Sequence, residues 1–377
     1  PGVTVSPLVS QSVRYYPLSQ DPHAMQQHNS RILSTTFGTE RQIVSYEFGH
    51  DDQQQVYIQA ALHSDELPGV AVAWYLKHAL SALEGQGQLR AKVTLVPVAN
   101  PIGFSQQLQG QPLGRFDSLS GQDFNRQFPA IGESLAAIAG PALSQDVSAN
   151  KRVMREAIDR YFDDYIPATE LQSQRAILMR MACKADLMID IHCDWEAVAH
   201  LYTTPQAWPE VSVLGHYLGC RTALIADISG GEPFDEACAE PWYTLHQRFG
   251  AAYPLPAALK PVTLELRGAR DVSHDQARED ARAILNGLTA LGYIAGDVPP
   301  LPAVLAPLKA DLAGCEYLTA PHAGVNLYTR QPGEWYHAGE VVAEILDPIT
   351  DQLSPLVCRQ DGLPDARHRV SFASPGL

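Results

Sequence analysis

Apolar positions along this chain recur in two rhythms between about residues 40 and 295. Short runs such as QIVSYEF (42–48), QQVYIQAAL (54–62), KVTLVPVA (92–99), ADLMIDIH (185–192), TALIADIS (222–229) and PVTLELR (261–267) read as buried β-strands. The first two flank the turn-rich GHDD, a spacing that predicts an antiparallel pair. Helical periods fall between the strands, clearest in residues 273–293. There Ser273 and Gln276 have capping-box spacing, and Ala281, Ile284, Leu285, Leu288 and Leu291 form an apolar stripe. Residues from about 145 to 182 are helical and charge-rich, in the manner of an insertion. This alternation predicts an α/β fold with a mixed, largely parallel sheet flanked by helices. The proline-laden VPPLPAVLAPL (298–308) then reads as a linker, and the Gly- and Pro-broken runs after it as a smaller C-terminal β domain. The expected units are therefore residues 1–298 and 299–377, the second a lid or an assembly surface.

Composition narrows the function classes. With 45% apolar and 18% charged residues the chain is globular. No run approaches the ~18 apolar residues of a membrane span, and the first residues carry no basic stretch followed by an apolar core, so no secretory leader is expected. A formal net charge of -15 repels phosphate backbones, so nucleic acid is not an expected partner. Six cysteines without CxxC spacing read as reduced thiols of a cytoplasmic protein. A homo-oligomer, most simply a dimer, is the default assembly.

Candidate chemistry begins at HSDELPG (63–69), on the turn between a predicted strand and a predicted helix. His63 and Glu66 are two ligands of the type a catalytic zinc uses, and such a site needs three protein ligands and an open position. A surface histidine and an exposed first-turn glutamate are the ordinary alternative for this spacing. His192 ends an apolar strand and is the third candidate. Asp190, two residues earlier on the same strand face, is placed to fix the tautomer of a ligand histidine. Glu265 lies among apolar neighbours in a strand, where a carboxylate is costly unless paired or functional; an ion pair with Arg267 or Arg270 would also account for it. In GRFDSLSGQDFNRQF (114–128), Asn125 and Arg126 form the pairing expected to grip a carboxylate, and Arg115 could face a polarised carbonyl. A solvated loop with an Asp123–Arg126 ion pair is the alternative.

The order HxxE, NR, strand-end His, strand Glu resembles the zinc carboxypeptidase clan. Within that clan HSDELPG, NPIGF (100–104), DFNRQF (123–128), DIHCD (190–194) and LELRG (264–268) look most like the succinylglutamate desuccinylase/aspartoacylase family, over roughly residues 40 to 350. The resemblance implies a zinc carboxypeptidase-like catalytic domain and one zinc ion per chain on His63, Glu66 and His192. It implies Glu265 as general base, Asn125 and Arg126 as the grip on a substrate carboxylate, and Arg115 as the arginine that polarises the scissile carbonyl. A tyrosine of the small domain would also reach the substrate, with Tyr317, Tyr328 and Tyr336 as candidates. The expected substrate is a small N-acylated molecule bearing a carboxylate, hydrolysed to an acid and an amine. A metallocarboxypeptidase acting on peptides shares the same metal and clamp and is the main rival. The C-terminal region also resembles a biotinyl or lipoyl carrier, but no lysine follows Lys309, and a serine hydrolase lacks its GxSxG.

Overall fold

The computed structural model describes residues 25–50, 54–303, 306–368 and 370–375. The segment in which no leader is expected, part of the GHDD turn and part of the 298–308 linker lie outside the described residues. In chain order the strands are β1 (Gln26–Arg31), β2 (Gln42–Phe48), β3 (Gln55–Ala60), β4 (Lys92–Val96), the short hairpin β5 (Gln107–Leu108) and β6 (Gln111–Pro112), β7 (Leu187–Asp194), β8 (Glu196–Ala197), β9 (His200–Thr203), β10 (Thr222–Ile225) and β11 (Lys260–Gly268). After them come β12 (Leu308–Asp311), β13 (Gly324–Tyr328), β14 (Val341–Asp347), β15 (Gln352–Val357), β16 (Ala366–Arg367) and β17 (Phe372–Ala373). The helices are α1 (Pro68–Gly85), α2 (Pro101–Phe104), α3 (Gly132–Ala139), α4 (Val147–Asp164), α5 (Glu170–Ala182), α6 (Trp208–Tyr217), α7 (Phe234–Phe249) and α8 (His274–Ala290).

Nine strands form one sheet in the order β1-β2-β4-β3-β7-β11-β9-β10-β12. Five of its eight junctions are parallel, so the sheet is mixed and largely parallel. The expected β2–β3 hairpin does not form: β4 inserts between them, antiparallel to β2 and parallel to β3. Apolar periodicity identifies a strand but not its neighbour, and a βαβ crossover through α1 brings β4 to that place.

β7 shows why a continuously apolar strand sits at the centre. Ile189 and Ile191 point to one face, into a core shared with α1, α6 and α8, whereas Met188 joins a second core under α3, α4, α5 and α7. Both faces are covered, so the polar residues on it, Asp190 and His192, are buried. The 273–293 pattern forms α8 as expected. The Ser273 hydroxyl accepts the Gln276 N–H at 3.2 Å, and Ala281, Ile284 and Leu288 are buried. Residues 145–182 carry α4 and α5, each with an N-cap side chain, Asp146 and Thr169, accepting first-turn N–H groups.

Beyond residue 299, β12 still belongs to the large sheet, pairing with β10. A separate four-stranded antiparallel sheet, β15-β14-β13-β17, follows it. β16 then returns to pair with β8, the two-residue strand just after β7. Among the described residues no helix is long and apolar enough to cross a membrane.

The turn between β3 and α1 is held by close packing. A Cβ on Gly69 would lie 2.9 Å from Ile191 Cγ2, 3.1 Å from Ala60 Cβ and 3.2 Å from the Ile191 carbonyl. Gly69→Val is therefore expected to cost about 1–3 kcal/mol through overpacking. Urea unfolding read by circular dichroism checks this; an unchanged midpoint would refute it.

Candidate metal centre

Two departures from ordinary backbone geometry aim the site. Ala61, fully buried, has φ 58° and turns the chain off the end of β3, so that His63 and Glu66 come in front of the N-terminus of α1. Arg267 has φ 59° within the β11 irregularity that follows Glu265. Non-glycine residues reach this region only where their surroundings hold them, and such positions gather at functional sites. β7 brings His192 between these two features.

The three side chains converge. Donor atoms of His63, Glu66 and His192 all lie within 4.8 Å of one another, and all three residues are buried. His63 Nδ1 is 2.8 Å from Glu66 Oε1, and His192 Nδ1 is 2.8 Å from Glu66 Oε2. Each ring turns its other nitrogen to an aspartate. His192 Nε2 lies 3.0 Å from Asp190 Oδ2, near enough for charge pairing but without hydrogen-bond alignment. His63 Nε2 lies 2.9 Å from Asp123 Oδ1. Asp190 is itself fixed by the Gln59 amide, which donates to its Oδ1 at 2.9 Å.

Asp123 has a role that the sequence did not point to. It faces His63 and, at 3.9 Å, Arg115; it does not pair with Arg126. Its place two residues before Asn125 was the available signal, because the same loop must pass beside the first ligand turn. The Cys193 backbone N–H is a second contributor without a side-chain signature, donating to Glu66 Oε2 at 3.2 Å. The Cys193 thiol itself is buried, and burial pushes its pKa up.

Arg115 reaches the cluster, its Nη2 lying 3.4 Å from Glu66 Oε1. Asn125 uses its side-chain oxygen to accept the Phe234 N–H at 2.8 Å, so the amide nitrogen is the end left to donate. Arg126 is exposed, with Nη1 donating to the Asn125 carbonyl at 2.7 Å, and has no contact with the triad. Buried Arg175, on α5, donates to the Asp123 and Arg126 carbonyls at 3.0 and 2.7 Å and so braces this loop. Glu265 pairs in register with His192 on β7 and with His200 on β9, which sets the three on one sheet face. Arg267 is committed to Asp280, and so does not account for Glu265 as an ion pair. Tyr317, Tyr328 and Tyr336 all line one cavity of about 780 Å³ between β9, β10, β12 and the C-terminal region. That cavity adjoins Glu265 through His200, Tyr202 and Asp194 and does not enclose the triad.

Burial alone would raise the Glu66 carboxyl, but the facing His192 and His63 outweigh it and hold the group well below its ordinary 4.5. Burial alone would lower His192, yet Asp190 and Glu66 lift it well above 6.5. Glu265 is pushed up to about 7, first by burial and then by Glu66 and Asp194, against the pull of His192 and His200. The donor set fits a zinc ion: two imidazole nitrogens and a carboxylate, each imidazole backed by an aspartate.

These features define a hydrolase-type α/β domain with a candidate metal centre at the strand ends. A family model for the succinylglutamate desuccinylase/aspartoacylase catalytic domain matches residues 52–291, and the chain belongs to that family, whose members are hydrolases. A family protein from Shewanella amazonensis SB2B superimposes with TM-score 0.80 at 27% identity, over 93% of this chain and 96% of that one. One from Shewanella frigidimarina NCIMB 400 gives 0.79 at 24% identity, over 94% and 96%. The ectoine utilization protein EutE (DoeB) of Ruegeria pomeroyi shares the fold, with TM-score 0.67 at 15% identity over 96% and 94%. No curated protein matches the sequence significantly.

Two outcomes are expected. The Glu66 contribution to stability is full above about pH 4.5 and is lost as pH falls through its depressed value. The His192 contribution is full below about pH 6.5 and is lost as pH rises toward its raised value. The melting temperature of the chelator-treated protein should thus peak between those limits, and zinc should remove the alkaline decline by taking the place of the protons. Separately, Asp123→Asn should weaken zinc binding by roughly 10- to 100-fold in a competition titration; unchanged affinity would leave Asp123 with no part in holding His63.

Proposed function

We propose that the protein is a zinc-dependent amidohydrolase that removes an acyl group from an N-acyl amino acid or a related N-acyl amine. The observation that carries this reading is the buried convergence of His63, Glu66 and His192 beside Glu265, in a chain of this hydrolase family. His63, Glu66 and His192 would hold the ion. When bound, zinc supplies Lewis acidity there, acidifying water toward a pKa of about 7 and polarising the scissile carbonyl.

The chain's own groups do the rest. The Asn125 amide nitrogen and the Arg126 guanidinium grip the substrate carboxylate, and the exposure of Arg126 leaves it free to swing onto an anion. Arg115, beside Glu66, is the cation within reach of the carbonyl oxygen as charge develops on it. Glu265 takes a proton from water and returns it to the departing amine nitrogen. A carboxyl poised at about 7 can accept and release a proton near neutrality. Asp123, hydrogen-bonded to His63 Nε2, holds that imidazole in the tautomer that presents Nδ1, and the charge of Asp190 beside His192 Nε2 favours the same for the second. In this reading residues 1–298 form the catalytic unit, and residues 299–377 form a β unit that caps it while lending β12 to the sheet. The β8–β16 pairing brings the cap against the site and favours a small substrate over a long peptide. The unpaired thiols suit a reducing cytoplasm.

Zinc-loaded protein, given a mixed panel of N-acyl amino acids, N-acyl diamines and short peptides, should release amines from acyl amides by mass spectrometry. Glu265→Gln should retain zinc and fall at least ~100-fold in rate. Full activity in that variant would sink the assignment, and stepwise shortening of peptides from the C terminus would make the protein a carboxypeptidase instead.

A further inference from the structure

The cavity of about 780 Å³ is larger than a short acyl group requires, and its chemistry differs from that of the carboxylate clamp. One wall begins at the catalytic row. His200 stands opposite Glu265 in the β9–β11 register, and Tyr202, Thr222 and Leu224 continue the same sheet face away from it. The other wall is the C-terminal region, with Tyr317, Leu318, Trp335 and Ile345. The clamp residues Asn125 and Arg126 line no part of it. The volume falls in the range of pockets that take a drug-sized ligand.

The charges on these walls decide what kind of group fits. β12 turns Lys309 and Asp311 to the opposite sheet face, in register with Ala223 and Ile225, so the charged side chains left to the cavity are Asp194, Glu316, Asp361 and Asp365 with Arg330 and Arg367. Arg330 is committed to Glu340, Arg367 to Glu196 and Glu316 to Arg359, which leaves Asp194, Asp361 and Asp365 without a lysine or arginine partner among the described residues. A second carboxylate on the substrate would therefore enter a field of its own sign. An uncharged apolar chain would meet the aliphatic and aromatic side chains without that repulsion and would leave water behind.

We propose that this cavity receives a bulky, uncharged, apolar acyl group. The substrate class is then an N-acyl amino acid with its carboxylate on the clamp, its scissile carbonyl at the metal centre, and a medium-chain or arylalkyl acyl group past Glu265 between the sheet and the C-terminal region. This rests on the deacylase reading above for the chemistry and on the cavity for the specificity.

The test uses zinc-loaded full-length protein and one amino acid carrying acetyl, butanoyl, hexanoyl, octanoyl or succinyl groups. Each methylene pair should raise kcat/KM about tenfold, the scale of apolar burial, so that octanoyl exceeds acetyl by at least ~100-fold and succinyl does not exceed butanoyl. Calorimetric titration of the zinc-free protein with the N-octanoyl amino acid gives a readout without turnover. Binding should show a negative heat-capacity change and weaken at least ~10-fold in Ala310→Trp and in Leu318→Trp, two independent fillings of the cavity. A series that is flat with chain length, or octanoyl binding untouched by both fillings in folded protein, overturns the proposal even if short acyl amides are cleaved. Octanoyl binding sensitive to the fillings, with no amide of any length hydrolysed, supports the cavity assignment and removes the deacylase reading instead.

Discussion

Glu66 is a buried carboxylate that serves two imidazoles at once, and the arrangement of the site follows from that demand. An ionised carboxylate removed from water is stable only when opposite charge and hydrogen-bond donors surround it. One oxygen faces His63, three residues away in sequence; the other faces His192, which arrives from a different strand and is joined there by the Cys193 N–H. The left-handed turn at Ala61, the close seat of Gly69 on Ile191 and the central position of β7 are the means by which two distant segments meet one carboxylate. Each histidine also turns its outer nitrogen to an aspartate, His63 by a hydrogen bond to Asp123 and His192 by charge alone to Asp190.

β11 is where the sheet changes direction. It runs parallel to β7 and antiparallel to β9. Open α/β sheets collect their sites where such reversals leave a crevice at the strand ends. Here the reversal has a second effect: β9, β10 and β12 carry the same face onward without a helical layer of their own, and the C-terminal region covers it. Helices therefore pack tightly on one half of that face, while the other half meets a β layer across open space. The candidate metal centre stands at the seam between a dense core and a cavity.

Much of this was legible in the chain. Strand ends at His63 and His192, a carboxylate among the apolar residues of LELRG, and the capping of α8 are local patterns, because each depends on residues within a few positions of one another. The pairing order was not legible, and β4 between β2 and β3 shows why: hydrogen bonding between strands leaves no trace in periodicity. Asp123 was visible as a residue, but the alternative of an ion pair with Arg126 does not form, and its bond to His63 spans sixty positions. The Cys193 N–H has no side-chain signature at all. The cavity depends on residues from Asp194 at the end of β7 to His368 beyond β16 and exists only in three dimensions.

The pairing of β8 with β16 ties residues 196–197 to 366–367. Such a long-range contact forms late, because the loop it closes is large. A ribosome will have released His63, Glu66, His192, Glu265 and most of the aromatic wall before β16, which closes the cavity, emerges. Until then Trp195, which ends against His368 with ring centroids 3.8 Å apart, has no cover from that side. A nascent or truncated chain would thus present an apolar, strand-edged surface to chaperones and to its own kind, and β16 is as much a guard against aggregation as a wall of the cavity.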